Sequence, residues 1–288
     1  MNPVRQSTFD NYETAVNRTV DYINQHLYET PDLKTLSEIA CISEFHLHRI
    51  FKGVMGENIG EFVARLRLED IAQRLRMSEE NLDIIAEKTG YSSKNALSKA
   101  FKKHFGTTPS KFRTEIREKD IADSTDKQVP LDPKICEIPD KNLAYIRIVD
   151  FYGSPKSYHR AWKELGAFAI ANNLLDSDSE SIGLSWDDPT ITPPEQCRFY
   201  ACLSTCKTFK SSGKIGTQVL KGGLFAVFTL KGPYSGLIEL YKNIYSSWIT
   251  ENNQYKLRKG ISYEKYLNHP EKVAESEILT EIYIPIKK

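Results

Sequence analysis

A repeated amphipathic segment near the start of the chain limits the fold more than any other feature. The first copy contains Ser43, Leu47, Phe51, Lys52, Gly56 and Phe62, and the second contains Ser93, Leu97, Phe101, Lys102, Gly106 and Phe112. The offset between the copies is constant, and it maps Arg49 onto Lys99. Self-similarity at a fixed spacing indicates one supersecondary unit that occurs twice. The chain is therefore expected to begin with two matching helical units.

Each copy has the pattern of a helix-turn-helix. Residues 36–56 place apolar side chains on one side of two short helices, with a turn at Cys41 and with Ser43 as the cap of the second helix. Residues 82–106 repeat the pattern, with Gly90 in the turn and with Ser92 or Ser93 as the cap. A longer helix, 59–77, is predicted between the two copies from its apolar spacing.

The second helix of each copy has an outward stripe of side chains suited to the major groove. These residues are Phe45, His48, Arg49 and Lys52 in the first copy, and Lys94, Asn95, Lys99, Lys102 and Lys103 in the second. Arginine can pair with guanine, asparagine with adenine, and an aromatic ring can contact the thymine methyl group. One such stripe is usually only a solvated helix face. Two copies with matching caps, core and basic positions favour DNA recognition.

Bulk composition agrees with this interpretation and narrows the cellular setting. Hydrophobic residues make up 40% and charged residues 27% of the chain, as in soluble globular proteins, and the net charge is only +1. The charge is unevenly distributed, because residues 88–113 have seven lysines and arginines and no acidic side chain. Such a local basic face can bind phosphate. We expect a cytoplasmic protein, since there is no apolar signal segment and the five cysteines are an odd number.

The C-terminal half has a different pattern. Residues 118–133 are polar and contain two prolines, which predicts a linker between a helical domain, 1–117, and a second domain, 134–288. The second domain alternates short β-type runs with two helical patterns, and a strand–helix–strand–strand order occurs twice. This order predicts an α+β fold of two related halves.

Aromatic residues of the second domain are candidates for a ligand pocket. Glu264 lies within an apolar strand pattern, and its carboxylate could face either a pocket or the solvent. A buried carboxylate among aromatic rings would suit a flat, apolar or cationic molecule. The candidate ligand-binding residues are Tyr145, Trp162, Trp186, Tyr234, Trp248, Tyr263, Glu264 and Tyr266. Any single aromatic among them could instead be a core residue.

The N-terminal domain resembles the DNA-binding domain of the AraC/XylS family. The resemblance is carried by GYSSKNALSKAFKKHFGTTPSKFR at 90–113, by SEFHLHRIFK and by RLRLEDIAQRL at 65–75. It implies that the two recognition helices enter successive major-groove segments of bent duplex DNA, about one DNA turn apart. Bases would be contacted by Phe45, His48, Arg49, Lys94, Asn95 and Lys99, and phosphates by Lys52, Lys102 and Lys103. The family also implies promoter DNA and RNA polymerase as partners and activation as the more common outcome. Cys41 departs from the usual turn glycine.

The C-terminal domain resembles the GyrI-like effector-binding domain. The residues that carry this resemblance are 187–203, 222–249 and 262–286. It implies two pseudo-symmetric strand–helix–strand–strand units around a cleft, with an acidic residue in the pocket that Glu264 matches best. Two other functions stay open. The domain could hydrolyse a small electrophile with Glu264 as general base and Tyr263 or Tyr145 assisting, or it could bind a protein.

Several chemical functions find no support in the sequence. Cys197, Cys202 and Cys206 lack the paired spacing of a zinc site, and no histidine is close to them in sequence. None of the G-x-S-x-G, phosphate-loop or H-E-x-x-H motifs occurs. We therefore expect no metal, no cofactor and no enzymatic activity, and both a monomer and a homodimer are compatible with the sequence.

Overall fold

The computed structural model describes residues 3–29, 31–123, 131–150 and 155–288. It divides the chain into two compact units. The first, here called the helical unit, extends to Lys119 and includes the short segment Ser211–Gly216. The second, the sheet unit, comprises Asp120–Lys210 and Thr217–Lys288. Within the described residues, no helix is long and apolar enough to span a lipid bilayer.

The helical unit contains both predicted helix-turn-helix motifs. Its helices are α1 Pro3–Gln25, α2 Leu33–Ala40, α3 Glu44–Met55, α4 Ile59–Met77, α5 Leu82–Lys88, α6 Lys94–Phe105 and α7 Pro109–Asp123. The expected long helix between the motifs has the predicted bounds. α7 continues six residues beyond the predicted domain end at 117, and residues 124–130 of the predicted linker lie outside the described residues.

Side chains at the helix starts explain why the helices begin where they do. Asp32 accepts a hydrogen bond from Thr35 N at 2.7 Å at the start of α2. Ser43 accepts from His46 N at 3.4 Å, and Ser93 accepts from Ala96 N at 3.2 Å. Each oxygen satisfies one of the backbone donors that a helix leaves unpaired in its first turn. The serine caps of both recognition helices are thus confirmed.

The turns of the two motifs use the left-handed backbone region in different ways. Cys41 ends α2 with φ of 57°, and Gly90 follows α5 with φ of 78°. Glycine adopts this region without the Cβ penalty that other residues have. Cys41 is therefore a non-glycine residue in a position that favours glycine.

A buried ion cluster joins α3 to α4. Arg65, which is only 6% exposed, donates to Glu57 at 2.5 Å and to Glu69 at 3.2 Å. Glu57 lies directly after the C-cap of α3, and Glu69 lies one turn further along α4. The guanidinium thus pairs with a carboxylate on each side, next to a buried apolar cluster that includes Phe51 and Phe62.

The sheet unit is built around an antiparallel sheet. Its strands are β1 Lys134–Ile138, β2 Lys141–Val149, β3 Ser181–Ser185, β4 Arg198–Ser204, β5 Ile215–Leu220, β6 Gly223–Lys231, β7 Lys256–Leu257, β8 Tyr263–Tyr266 and β9 Leu279–Lys287. Among the described residues their order is β1-β6-β9-β8-β3-β4-β2-β5, with β7 paired to β9. The helices are α8 Pro155–Ala171, α9 Leu237–Asn243 and α10 Ile249–Glu251, with a π-helical segment Ile244–Trp248 between the last two.

The strand order confirms the predicted duplication. One half is β2-α8-β3-β4 and the other is β6-α9-β8-β9, and in each half the third strand lies between the first and the second. The second strands of the two halves, β3 and β8, pair with each other at the centre of the sheet, with Gly183 opposite Glu264. The internal pseudo-symmetry thus brings the candidate acidic residue to the middle of the sheet.

The two faces of the sheet have different coverings. One face, here called the helix face, carries Phe199, Phe228 and Ile282, and α8 to α10 pack on it. The opposite face carries a buried cluster with two stacked tyrosine pairs, Tyr145 with Tyr200 and Tyr263 with Tyr283. Successive residues of a strand point to opposite faces. Neighbours in sequence therefore lie on different faces of the sheet, and residues two apart lie on the same face.

Candidate functional site

The outward side of α3 presents the first set of predicted DNA-contacting residues. Phe45 is 75% exposed, and His48, Arg49 and Lys52 are exposed beside it. The guanidinium carbon of Arg49 lies 6.0 Å from the centre of the Phe45 ring, a cation–π distance. A surface depression of about 790 Å³ is lined by Leu33, Glu44, Phe45, His48, Arg49, Lys52 and Gly53. A large exposed aromatic beside a guanidinium can contact base edges in a groove.

The outward side of α6 presents the second set. Lys94, Asn95, Lys99, Lys102 and Lys103 are all exposed, whereas Leu97 and Phe101 are buried on the inner side. Lys94 forms an ion pair of 3.2 Å with the exposed Asp83 of α5. Because exposed pairs of this kind are weak, the Lys94 ammonium can exchange this partner for a phosphate or a base.

Glu264 of β8 is the buried charge of the sheet unit. Its side chain lies on the helix face and is 5% exposed. Tyr266 donates a hydrogen bond to one carboxylate oxygen at 2.6 Å, and Tyr241 of α9 donates to the other at 3.4 Å. Ser185 also hydrogen-bonds to this carboxyl group. The predicted alternative, in which Glu264 faces solvent, is not what the structure shows.

The electrostatics of Glu264 follow from this environment. Burial raises the pKa of its carboxyl group above the ordinary value, because a charge in a low-dielectric interior is poorly solvated. The three hydroxyl donors oppose that shift, since they stabilise the ionised form. Burial also raises the pKa of Tyr266, as does the neighbouring Glu264. The tyrosine therefore serves as a hydrogen-bond donor and not as a phenolate.

Two further aromatic residues pack against Tyr266, which donates to this carboxylate. The ring of Trp162 from α8 meets the ring of Tyr266 edge-on, with 5.7 Å between their centres. Tyr234, which precedes α9, meets the same ring edge-on at 5.5 Å. Tyr234 is 36% exposed and lies at the outer side of the group. We call Glu264, Tyr266, Trp162, Tyr234 and Tyr241 the Glu264 cluster.

Comparison with known families decides what this architecture is. Residues 131–287, more than half of the chain, match the family described as "GyrI-like small molecule binding domain". Residues 36–115 match the family described as "Helix-turn-helix domain". The chain is 32% identical over 99 residues to the multiple antibiotic resistance protein MarA of Escherichia coli K12. The aligned residues cover 34% of this chain and 78% of MarA. The chain is an AraC-family regulator with a GyrI-like domain.

Two other relatives describe the extent of the similarity. The probable transcription factor PqrA of Proteus vulgaris is 36% identical over 103 residues, covering 35% of this chain and 84% of PqrA. The right origin-binding protein of Escherichia coli K12 is 24% identical over 285 residues, covering 93% of this chain and 96% of that protein. The first similarity concerns one domain of this AraC-family regulator, and the second extends over nearly the whole chain. The protein is thus a DNA-binding transcription regulator with a small-molecule binding domain.

Only half of the predicted ligand-binding residues of the GyrI-like domain lie together in the Glu264 cluster. Trp162, Tyr234, Glu264 and Tyr266 belong to the Glu264 cluster. Tyr263 cannot join them, because it is adjacent to Glu264 in the same strand and therefore points to the opposite face. It is 1% exposed and stacks on Tyr283 there.

The other three predicted residues of the GyrI-like domain also lie elsewhere. Tyr145 is fully buried on the opposite face. Trp186 lies on that face as well, with its ring centre 5.5 Å from that of Tyr200. Trp248 is on the helix face but packs edge-on against Phe228 in the core beneath the helix. None of these three side chains belongs to the Glu264 cluster.

The sequence interpretation missed Tyr241 of the Glu264 cluster and two residues that contact cluster members, Ser185 and Gly183. Tyr241 reaches Glu264 from α9, and no local pattern relates a helix residue to a distant strand. Ser185 and Gly183 both lie on β3. A Cβ atom on Gly183 would collide with the Tyr266 hydroxyl and approach Phe199 ring atoms within 2.8 Å. An isolated glycine in a strand often marks such a close approach, and this signal was available in the sequence.

The cysteines of the regulator are free thiols. Cys197 and Cys202 are buried, and Cys206 is exposed. Within the described ranges, no group of three or more histidine, cysteine, aspartate or glutamate side chains is arranged to hold a metal ion.

Proposed function

We propose that this regulator reads double-stranded promoter DNA through the exposed faces of α3 and α6. Support comes from the solvent exposure of every predicted contact residue and from the buried apolar residues behind them. A serine caps the start of each of these helices, and the buried Arg65 cluster joins α3 to α4. Base contacts are assigned to Phe45, His48, Arg49, Lys94, Asn95 and Lys99, and phosphate contacts to Lys52, Lys102 and Lys103. Because one chain supplies two recognition helices, a monomer suffices for binding.

The DNA assignment is tested by substituting one residue of each face. A target duplex is first selected from a library of random sequences with the full-length protein. In gel-shift titrations at fixed salt, Arg49→Ala and Lys99→Ala should each weaken specific binding by about 1–3 kcal/mol. Lys163→Ala removes an exposed charge from α8 and should leave binding unchanged. If both face variants bind as tightly as the control, the assignment is wrong.

We further propose that the DNA-bound regulator activates transcription through contact with RNA polymerase. The proposal extends the resemblance of the helical unit to AraC-type activators. It is tested by transcription in vitro from a template that carries the selected duplex upstream of a promoter. Activation should require an intact α3 face, so Arg49→Ala should reduce the amount of transcript. A fall in transcript on adding the wild-type protein would instead indicate a repressor.

We propose that the Glu264 cluster binds an aromatic or amphipathic cation. The buried Glu264 carboxylate supports this proposal. Its hydrogen-bond partners among the described residues are two tyrosines and a serine, and none of these three is basic. A cation that reaches it gains the attraction of a desolvated negative charge. The faces and edges of Trp162, Tyr234 and Tyr266 would add cation–π and apolar contacts.

The ligand proposal is tested with benzyltrimethylammonium and the full-length protein. Binding is followed by tryptophan fluorescence, since Trp162 lies in the cluster. Glu264→Gln keeps the size and hydrogen-bonding capacity of the side chain but removes its charge, and it should reduce affinity at least tenfold. Glu271→Gln removes an exposed carboxylate and is the matched control. Equal affinity of the two variants would contradict the proposal.

A second candidate function is hydrolysis of a small electrophile. It is favoured by the raised pKa of Glu264 beside a tyrosine hydroxyl at 2.6 Å, an arrangement suited to general-base catalysis. Tyr266 takes the assisting role, because Tyr263 and Tyr145 lie on the opposite face. Turnover of p-nitrophenyl acetate or styrene oxide by the wild type, lost in Glu264→Gln, would support catalysis. No turnover above the buffer rate would exclude these substrates.

A further inference from the structure

Thr280 of the GyrI-like domain has a buried hydroxyl group without a hydrogen-bond partner among the described residues. Thr280 of β9 is 0% exposed, and its Oγ1 atom accepts and donates no hydrogen bond among the described residues. In the sheet, Thr280 is directly opposite Tyr266 on one side and Leu230 on the other. The hydroxyl is therefore enclosed at a position next to a member of the Glu264 cluster.

The register of the sheet places this hydroxyl on the helix face. Ile282, two residues further along β9, is opposite Glu264 and packs beneath α9. Residues two apart in a strand share a face, so Thr280 lies on the same face as Glu264. The two residues are diagonal neighbours across paired antiparallel strands, a relation that sets their backbones about 7–8 Å apart.

The contrast with the other hydroxyls around Glu264 is informative. Tyr266, Tyr241 and Ser185 all direct their hydroxyls to the carboxylate. Thr280 is fully buried on the same face, and its hydroxyl has no partner among the residues that the structure describes. Burying a polar group without a partner is unfavourable, and a valine of the same shape would avoid that cost. A buried group of this kind fits a role in which its partner arrives with a ligand.

We propose that Thr280 is a polar subsite of the ligand pocket and that it recognises a hydrogen-bonding group on the bound cation. The inference rests on the proposed cation site at Glu264. The spacing of the two residues specifies the ligand class as a cation with a hydroxyl or amide group about one aromatic ring away from the positive centre. Glu264 binds the charge, the rings of Tyr266 and Trp162 contact the aromatic spacer, and Thr280 selects for the second polar group.

The experiment compares two probes that differ in a single group. They are benzyltrimethylammonium and its 4-hydroxymethyl derivative, whose hydroxyl lies across the ring from the ammonium. Full-length wild type should bind the hydroxymethyl probe about tenfold more tightly. Thr280→Val removes the hydroxyl without changing side-chain shape, and it should bind both probes equally. Thr280→Ser keeps a hydroxyl and should retain the preference.

The controls separate the subsite from the cation site. Thr280→Val should unfold at the wild-type temperature or above it, because the unsatisfied hydroxyl is gone. If both probes bind, if Glu264→Gln weakens both, and if Thr280→Val keeps the wild-type preference, the subsite is refuted and the cation site stands. If neither probe binds the wild type, both proposals fail.

Discussion

The left-handed turn at Cys41 provides a direct test of how the sequence and the backbone fit together. A residue with a Cβ atom in this region carries a cost of about 1–2 kcal/mol relative to the right-handed helix. Cys41→Gly removes that cost but adds about 0.4–1 kcal/mol of conformational freedom to the unfolded chain. The net expectation is a gain of about 0.5–1 kcal/mol, or a rise in Tm of about 2–4 °C.

Two matched variants isolate the backbone contribution from the thiol. Cys41→Ala removes the contact of Sγ with the Arg18 guanidinium at 3.5 Å but keeps the strained Cβ, so it should match the wild type. Gly90→Ala makes the reverse change in the second motif. A Cβ atom there would be no closer than 3.7 Å to its nearest neighbour, Tyr28 O, so crowding is absent and the cost should be conformational, about 1 kcal/mol.

The assay is urea unfolding of the full-length chain followed by circular dichroism at 222 nm. Tryptophan fluorescence serves as an internal control, because Trp162, Trp186 and Trp248 all belong to the sheet unit. The helical transition should shift with Cys41→Gly, whereas the tryptophan transition should not. If Cys41→Gly is no more stable than Cys41→Ala, the backbone at Cys41 is unstrained and the reasoning is refuted.

Three other changes have definite expected outcomes. Binding of benzyltrimethylammonium should strengthen as pH rises through the raised pKa of Glu264, because only the ionised carboxylate attracts the cation, and Glu264→Gln should abolish this dependence in calorimetric titrations. The same raised pKa means that the folded state binds the proton more tightly, so stability should fall across that pH range in the wild type alone. Arg198→Met should lower the free energy of unfolding by about 3–5 kcal/mol in urea, because it removes the guanidinium that balances the buried Asp187 carboxylate; a loss smaller than about 1 kcal/mol would show the pair to be solvated. Gly183→Ala should displace Tyr266, reduce stability by about 1–3 kcal/mol and weaken cation binding, whereas unchanged affinity would show that Tyr266 has no part in the site.

The helical unit could be predicted from the sequence almost completely. Its information is local, since a cap acts over three residues and a helical stripe repeats every three or four. Ser43, Ser93 and Gly90 therefore have the roles that their sequence positions indicate. The second motif's turn and caps also repeat those of the first, so each copy supported the interpretation of the other.

The sheet unit was predictable in its elements but not in its pocket. Strand alternation and the internal duplication are visible along the chain, and they gave the strand–helix–strand–strand order. Strand parity alone separates Tyr263 from Glu264, because adjacent residues of a strand point to opposite faces. No rule along the chain could show that α9 brings Tyr241 to the same carboxylate.

The sequence by itself determined two recognition helices with basic faces and an α+β domain with an acidic strand residue. Only the tertiary structure decided which aromatic rings pack around Tyr266 beside Glu264, and that the nearby Thr280 hydroxyl has no partner in the described part of the chain. The physical reason is the distance along the chain between the residues that interact. Helix caps and faces depend on neighbours within one or two turns, whereas the pocket depends on which distant strands pair and in which register.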